Sequence, residues 1–231
     1  MLEIAGHILA FLGAGAALLG DTWNGTARGW RKLTTTGWAA AFVATLGLIL
    51  SVYVSVMDQT EKSTYREIAL NDMAGGWRQI AIALHIMDDL GDGTIDNGAL
   101  TFTDVQSYGS TEALTRFAEL DFNQPVQLGN GRQPQLAELL CTSMARGMTV
   151  LDGTIRNRGV VLNHRIARLV ADLSQSATYG GILAAGRCAR GATDPDMNRI
   201  REELQKPQAV DFVQTLIALG EEIGEDRLTR R

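Results

Sequence analysis

Proline occurs four times in this 231-residue chain, cysteine twice and histidine three times, and aromatic side chains make up 6% of it. Scarce proline leaves room for long unbroken helices. Scarce aromatics beside 25 glycines suit packed helices better than a sheet. The two cysteines, Cys141 and Cys188, stand far apart and match no metal-ligand spacing. Each reads as a small buried apolar group rather than a reactive thiol. His7 lies in an apolar run, so no Ser/His/Asp or Cys/His set emerges, and there is no G-x-x-x-x-G-K-[ST] loop. The expectation is a chain with no catalytic residues, no metal and no cofactor, hence not an enzyme.

Charge is missing from two stretches. Ile4 to Gly20 is seventeen residues without a formal charge, and Leu33 to Met57 is twenty-five. As helices they would span roughly 25 Å and roughly 37 Å, against a bilayer hydrocarbon core of about 30 Å. A cleaved signal peptide is the rival reading of the first run, but only Glu3 and the amino terminus precede it where a basic segment belongs. Between the runs lies "GDTWNGTARGWRKLTTTGW", Gly20 to Trp38, with three tryptophans and three cations in nineteen residues. Tryptophan is enriched at the headgroup level of membranes, and loop Lys and Arg find phosphates there. Trp23, Trp30 and Trp38 therefore read as interface anchors, and Arg28, Arg31 and Lys32 as headgroup contacts. A nucleic-acid surface would use the same residue types, but the flanking runs point to lipid, and no duplex partner is expected.

Small residues recur at three-and-four spacing in both runs: Gly6, Ala10, Gly13, Ala17 and Gly20, then Gly37, Ala40, Ala44, Gly47 and Ser51. In lipid such stripes allow close helix packing. They could face each other within one hairpin. Alternatively Gly13, Ala17, Ala44, Gly47 and Ser51 could meet another subunit or line a conduit. No charged residue lies inside either span, so a pore would be lined by small, hydroxyl or apolar groups such as Thr45, Ser51 and Ser55.

The predicted architecture is all-α, with a two-helix transmembrane hairpin over residues 1–57 followed by a helical soluble sensor or assembly domain over 58–231. Met73, Trp77, Ile80, Leu84 and Met87 share a helical face. No breaker separates them from Met57, so the second span can run straight on. Gly91 to Ser110 reads as a loop with a short strand at Leu100–Val105, and Thr111–Phe122 as a short helix. Pro134 opens the longest helical pattern, from Leu136 to Leu173, interrupted at Gly147, Gly153 and Gly159. Asp194 and Pro195 suggest the cap and first residue of a further helix, and Pro207 begins the last one.

The net charge of −5 is uneven: −8 over residues 58–131, +5 over 132–190 and −3 over 191–231. Intramolecular pairing explains this, and so does an anion site. "RNRGVVLNHRIARL", 156–169, is the candidate: Arg156, Arg158, His164, Arg165 and Arg168 would offer guanidinium forks suited to phosphate or carboxylate. Arg187 and Arg190 could join them. Salt bridges to Asp88–Asp96 or Asp121 are the plainer reading. "DDLGDGTID", 88–96, looks like a calcium loop, but Leu90 and Ala99 occupy two ligand positions, so a helix end and a turn account for it.

The hairpin, the Trp/Arg/Lys loop "DTWNGTARGWRKLTTTGWAAAF" and the helical domain together resemble the small two-transmembrane effectors of bacterial anti-phage defence systems. These include the oligonucleotide-restrained channel effector of Hailong systems. The resemblance covers about sixty residues and nothing beyond Met57. It implies a homo-oligomer in the bacterial inner membrane that forms a signal-gated pore, with a nucleotide or short oligonucleotide as signal. A membrane-anchored scaffold or assembly subunit without a pore shares every feature of the hairpin. Three cations in the 21–32 loop, against Lys62 and Arg66 after the second span, favour a cytoplasmic loop and place the domain outside. A cytosolic sensor would require the opposite.

Overall fold

The computed structural model describes residues 34–91, 100–127, 133–186 and 196–228. Nine α-helices lie among these residues, with no strand and one isolated antiparallel bridge between Pro125 and Gln135. They are α1 (Thr35–Gly91), α2 (Phe102–Ser107), α3 (Thr111–Glu119), α4 (Leu136–Arg158), α5 (His164–Ser174), α6 (Ala177–Gly186), α7 (Met197–Gln205), α8 (Pro207–Ile223) and α9 (Glu225–Leu228). The all-helical expectation holds. The chain divides into two compact units, Met1–Thr64 and Tyr65–Arg231. The predicted first span lies outside the described residues, so a hairpin is not part of the described fold.

Helix α1 is unbroken, as the missing breaker after Met57 implied. Its first half is long and apolar enough to cross a membrane. That half has two faces. Phe42, Leu48, Ile49, Val52, Tyr53, Val56 and Met57 are each more than half exposed. The small-residue face is covered instead: Gly37, Ala40 and Gly47 are buried, Ala44 and Ser51 partly so. Beyond Thr64 the burial pattern changes. Met73, Trp77, Ile80, Leu84 and Met87 are all at most 1% exposed and join the core of the second unit.

That core is closed by α3 and α6 on α7, and α5 on α8. Its apolar stripe on α4 and α5 is the predicted one: Leu136, Leu140, Met144, Met148, Leu151, Ile166 and Leu173 are buried. The helical pattern divides at Gly159, where α4 ends and a 3-10 turn, Gly159–Val161, leads to α5. Asn163 caps α5 by accepting from the Ile166 amide at 2.8 Å.

Three local expectations are corrected. The strand at Leu100–Val105 is helix α2, because Thr101 and Asp104 form a capping box: each side chain accepts from the other's backbone N–H. The longest pattern begins at Leu136 rather than Pro134, whose carbonyl accepts from Val126 instead. The cap of α7 is Asp196, which accepts from the Arg199 amide at 3.1 Å; Asp194 and Pro195 lie outside the described residues. Pro207 does open α8, which stops at Gly224 with φ +98°, a region where side-chain-bearing residues are strained.

Candidate functional site: the arginines of α4 and α5 and the groove between α1 and α4

Arg156 and Arg158 sit in the last turn of α4, where cations are favoured by the helix dipole whatever else they do. His164, Arg165 and Arg168 belong to α5. The break at Gly159 therefore separates residues that one continuous helix would have placed on a single face. Three of the arginines are already paired. Arg158 bonds Asp72 of α1. Arg165 Nη1 lies 2.9 Å from Glu222 Oε1 of α8, and Asn163 Nδ2 donates to the other oxygen of Glu222 at 3.0 Å. Arg168 Nε stands 3.9 Å from Asp172, one turn along its own helix. Arg156 and His164 are exposed, without a partner among the described residues. Arg187 and Arg190 lie outside them.

Salt bridging thus does occur, but with other carboxylates than the sequence suggested. Asp88 pairs with Arg116 at 3.3 Å. Asp72 and Glu222 are distant in sequence from their arginines, and no local pattern announces them.

The Asp72–Arg158 pair borders a groove of about 670 Å³ between α1 and α4. Its origin is a close helix crossing. A Cβ on Gly76 would meet the Gly147 carbonyl oxygen at 2.9 Å, and one on Gly147 would meet that of Gly76 at 2.7 Å. Beside this contact the groove is lined by Asn71, Gly75 and Gln79 from α1, and by Ala145, Arg146 and Val150 from α4. Gly75 has open space above it. Thr149 is spoken for, since its hydroxyl donates to the Ala145 carbonyl at 2.7 Å. Arg146 is exposed and has no partner among the described residues. With Asp72 neutralised by Arg158, the groove carries one uncompensated positive charge beside an apolar wall. That combination suits an anion with an apolar body. Arg146 escaped the sequence reading because it stands apart from the arginine cluster. The Gly75-Gly76 pair inside a helical pattern was the available signal.

A second cavity of about 310 Å³ lies where α3 meets the start of α8, lined by Leu114, Lys206 and Pro207 among others. Lys206 is engaged there, 2.7 Å from the buried carboxylate of Glu203. Among the described residues no group of His, Cys, Asp or Glu could hold a metal ion. Cys141 is fully buried, as expected, but it is disulfide-bonded rather than a plain thiol. Cys188, the sequence's other cysteine, lies outside the described residues.

Of the tryptophans expected at a membrane interface, Trp38 is described and is 48% exposed on α1. Trp23, Trp30, Arg28, Arg31, Lys32, Gly13 and Ala17 lie outside the described residues. Comparison of the chain with protein-family models, curated proteins and solved structures finds no match.

Proposed function

We propose that the protein is a non-enzymatic membrane effector that assembles as a homo-oligomer in a bacterial inner membrane and permeabilises it under control of its helical unit. The observation that carries this reading is the first half of α1. An uncharged helical stretch keeps Phe42, Leu48, Ile49, Val52 and Tyr53 each 57% exposed or more. A soluble protein rarely leaves so large a contiguous apolar surface open, and in a bilayer it is the surface that lipid or a second subunit covers. The Trp/Arg/Lys loop supplies the interface anchors on this reading. The resemblance to two-transmembrane defence effectors supplies the pore and the signal. An anionic ligand, nucleotide or other, would act at Arg146 or by displacing Asp72 from Arg158.

A second reading is favoured by the covered small-residue stripe. With Gly37, Ala40 and Gly47 already buried, this face is not free to line a conduit, which fits a membrane-anchored scaffold without a pore.

Membrane potential separates the two. The intact chain is expressed from an inducible promoter and followed with a voltage-sensitive dye, beside Ile49→Lys. Depolarisation by the intact chain that disappears in Ile49→Lys supports the effector. An undisturbed potential at high expression, with the chain in the membrane fraction, argues against an unrestrained pore and favours the scaffold.

A further inference from the structure

We infer that the helical unit stands on the oxidising side of the membrane, outside the cytoplasm, and meets its ligand or partner there. This inference rests on the membrane anchoring of α1 proposed above. Two observations of unrelated physics point the same way.

The first is redox chemistry. Cys141, fully buried on α4, is disulfide-bonded, and the sequence offers one other cysteine, Cys188. To form the bond, each thiol gives up a proton, and together they pass two electrons to a protein disulfide oxidant, which is reduced to a dithiol. Such oxidants act in exported compartments, whereas cytoplasmic glutathione and thioredoxin systems keep thiol pairs reduced. A disulfide-bonded cysteine in the core of a unit, in a chain with a single other cysteine, is the pattern of an exported domain.

The second is the electrostatics of insertion. Arg28, Arg31 and Lys32 crowd the short stretch between the two apolar runs, whereas Lys62 and Arg66 follow the second run. An excess of Lys and Arg holds a short loop in the cytoplasm. With that loop inside, the continuation of α1 past Met57 emerges outside, and residues 65–231 with it.

The consequence is functional. A nucleotide or oligonucleotide made in the cytoplasm does not reach Arg146 or the arginines of α5. Of the anionic ligands proposed above, those present outside the cytoplasm are then the ones that reach the groove, in place of a cytosolic nucleotide.

The test uses the full-length chain in a bacterial host with its disulfide-forming machinery intact. Cells are quenched in acid, and the washed membrane fraction is treated with maleimide-polyethylene glycol before and after reduction. In parallel, protease is added to intact spheroplasts. The expected result is no adduct before reduction and two after it, the adducts falling to one in Cys141→Ser. Digestion of the helical unit from outside is expected alongside. A membrane-bound chain that takes two adducts without reductant, or whose helical unit is cut only after lysis, overturns the inference and leaves the anchoring intact. A chain recovered in the soluble fraction overturns the anchoring itself and the inference with it.

Discussion

Gly76 of α1 and Gly147 of α4 touch backbone to backbone, so that a methyl group on either would stand within 2.9 Å of the other's carbonyl oxygen. At Gly147 the added carbon would also meet Ile80 at 2.5 Å. Neither carbonyl can step aside without moving a helix, so Gly147→Ala and Gly76→Ala should each destabilise the second unit by about 1–3 kcal/mol, the usual cost of overpacking. Gly75, one residue earlier, has nothing within 4 Å of a Cβ. There Gly75→Ala should stabilise by roughly 0.5–1 kcal/mol through helix propensity alone. Denaturant unfolding of the detergent-solubilised chain measures all three. The same sign at positions 75 and 76 would mean that the crossing is not where the helices approach.

Trp77 anchors α1 to α8 in a second way. Its indole Nε1 donates to the Leu216 carbonyl at 2.7 Å, and its ring lies 5.9 Å from that of Phe102. Gly220 makes the room: a Cβ there would come within 2.5 Å of Phe102 and 3.0 Å of the indole nitrogen. Trp77→Phe loses one buried hydrogen bond and part of a ring, so a loss of about 2 kcal/mol is expected. Retained stability would show that the indole contributes shape alone.

The contrast between core and site explains what could be read from the residues. Met73, Trp77, Ile80, Leu84 and Met87 announce themselves because one helix period links them, and burial of that period is a local property of the chain. Leu100–Val105 misled because six residues are too few for periodicity to decide, while the Thr101/Asp104 capping box, which did decide, is a hydrogen-bonding pattern and not a hydropathy pattern. The arginines were visible as a cluster, but their partners were not. Asp72 lies 86 residues from Arg158, and only the packing of α4 against α1 brings them together. The groove is less legible still, being the space left beside two glycines on helices far apart in sequence.

The paired arginines set a condition on anion binding. Asp72 and Arg158 are both substantially exposed, so breaking the pair costs at most about 1 kcal/mol of stability. The same exposure makes Asp72 a competitor for any anion near Arg158. Asp72→Asn should therefore tighten binding of inorganic pyrophosphate to the full-length chain several-fold, whereas Arg146→Glu should weaken it by at least as much. Calorimetric titration measures both. Equal affinity in the two variants would return these residues to surface ion pairing.

The exposed apolar half of α1 makes a sharper demand. Ile49 is 58% exposed near the middle of the apolar run. A lysine at the centre of a spanning helix costs about 2.5–3.5 kcal/mol of insertion free energy, enough to shift the chain measurably out of the bilayer. Ile49→Lys should lower the carbonate-resistant membrane fraction several-fold. Asp58→Lys, just beyond the run, should leave it unchanged. Equal membrane recovery of the two variants would show that this stretch does not span.

Tyr179 of α6 gives a test of the second unit in the alkaline range. Its phenol is held above the ordinary value of 10.0, first by burial and then by the negative charge of Asp152 on α4. The folded state therefore keeps this proton to higher pH than the unfolded chain does. Below about pH 10 both states hold it, and the contribution to stability is complete. Above that the unfolded chain ionises first, so stability falls with rising pH until the folded phenol ionises as well. Melting temperatures of the solubilised chain between about pH 9 and pH 11 should decline less steeply in Tyr179→Phe, which has no proton to lose. Asp152→Asn should reduce the decline in part, because it removes only the smaller of the two causes. Identical slopes in the three proteins would mean that Tyr179 meets water as freely in the folded chain as in the unfolded one.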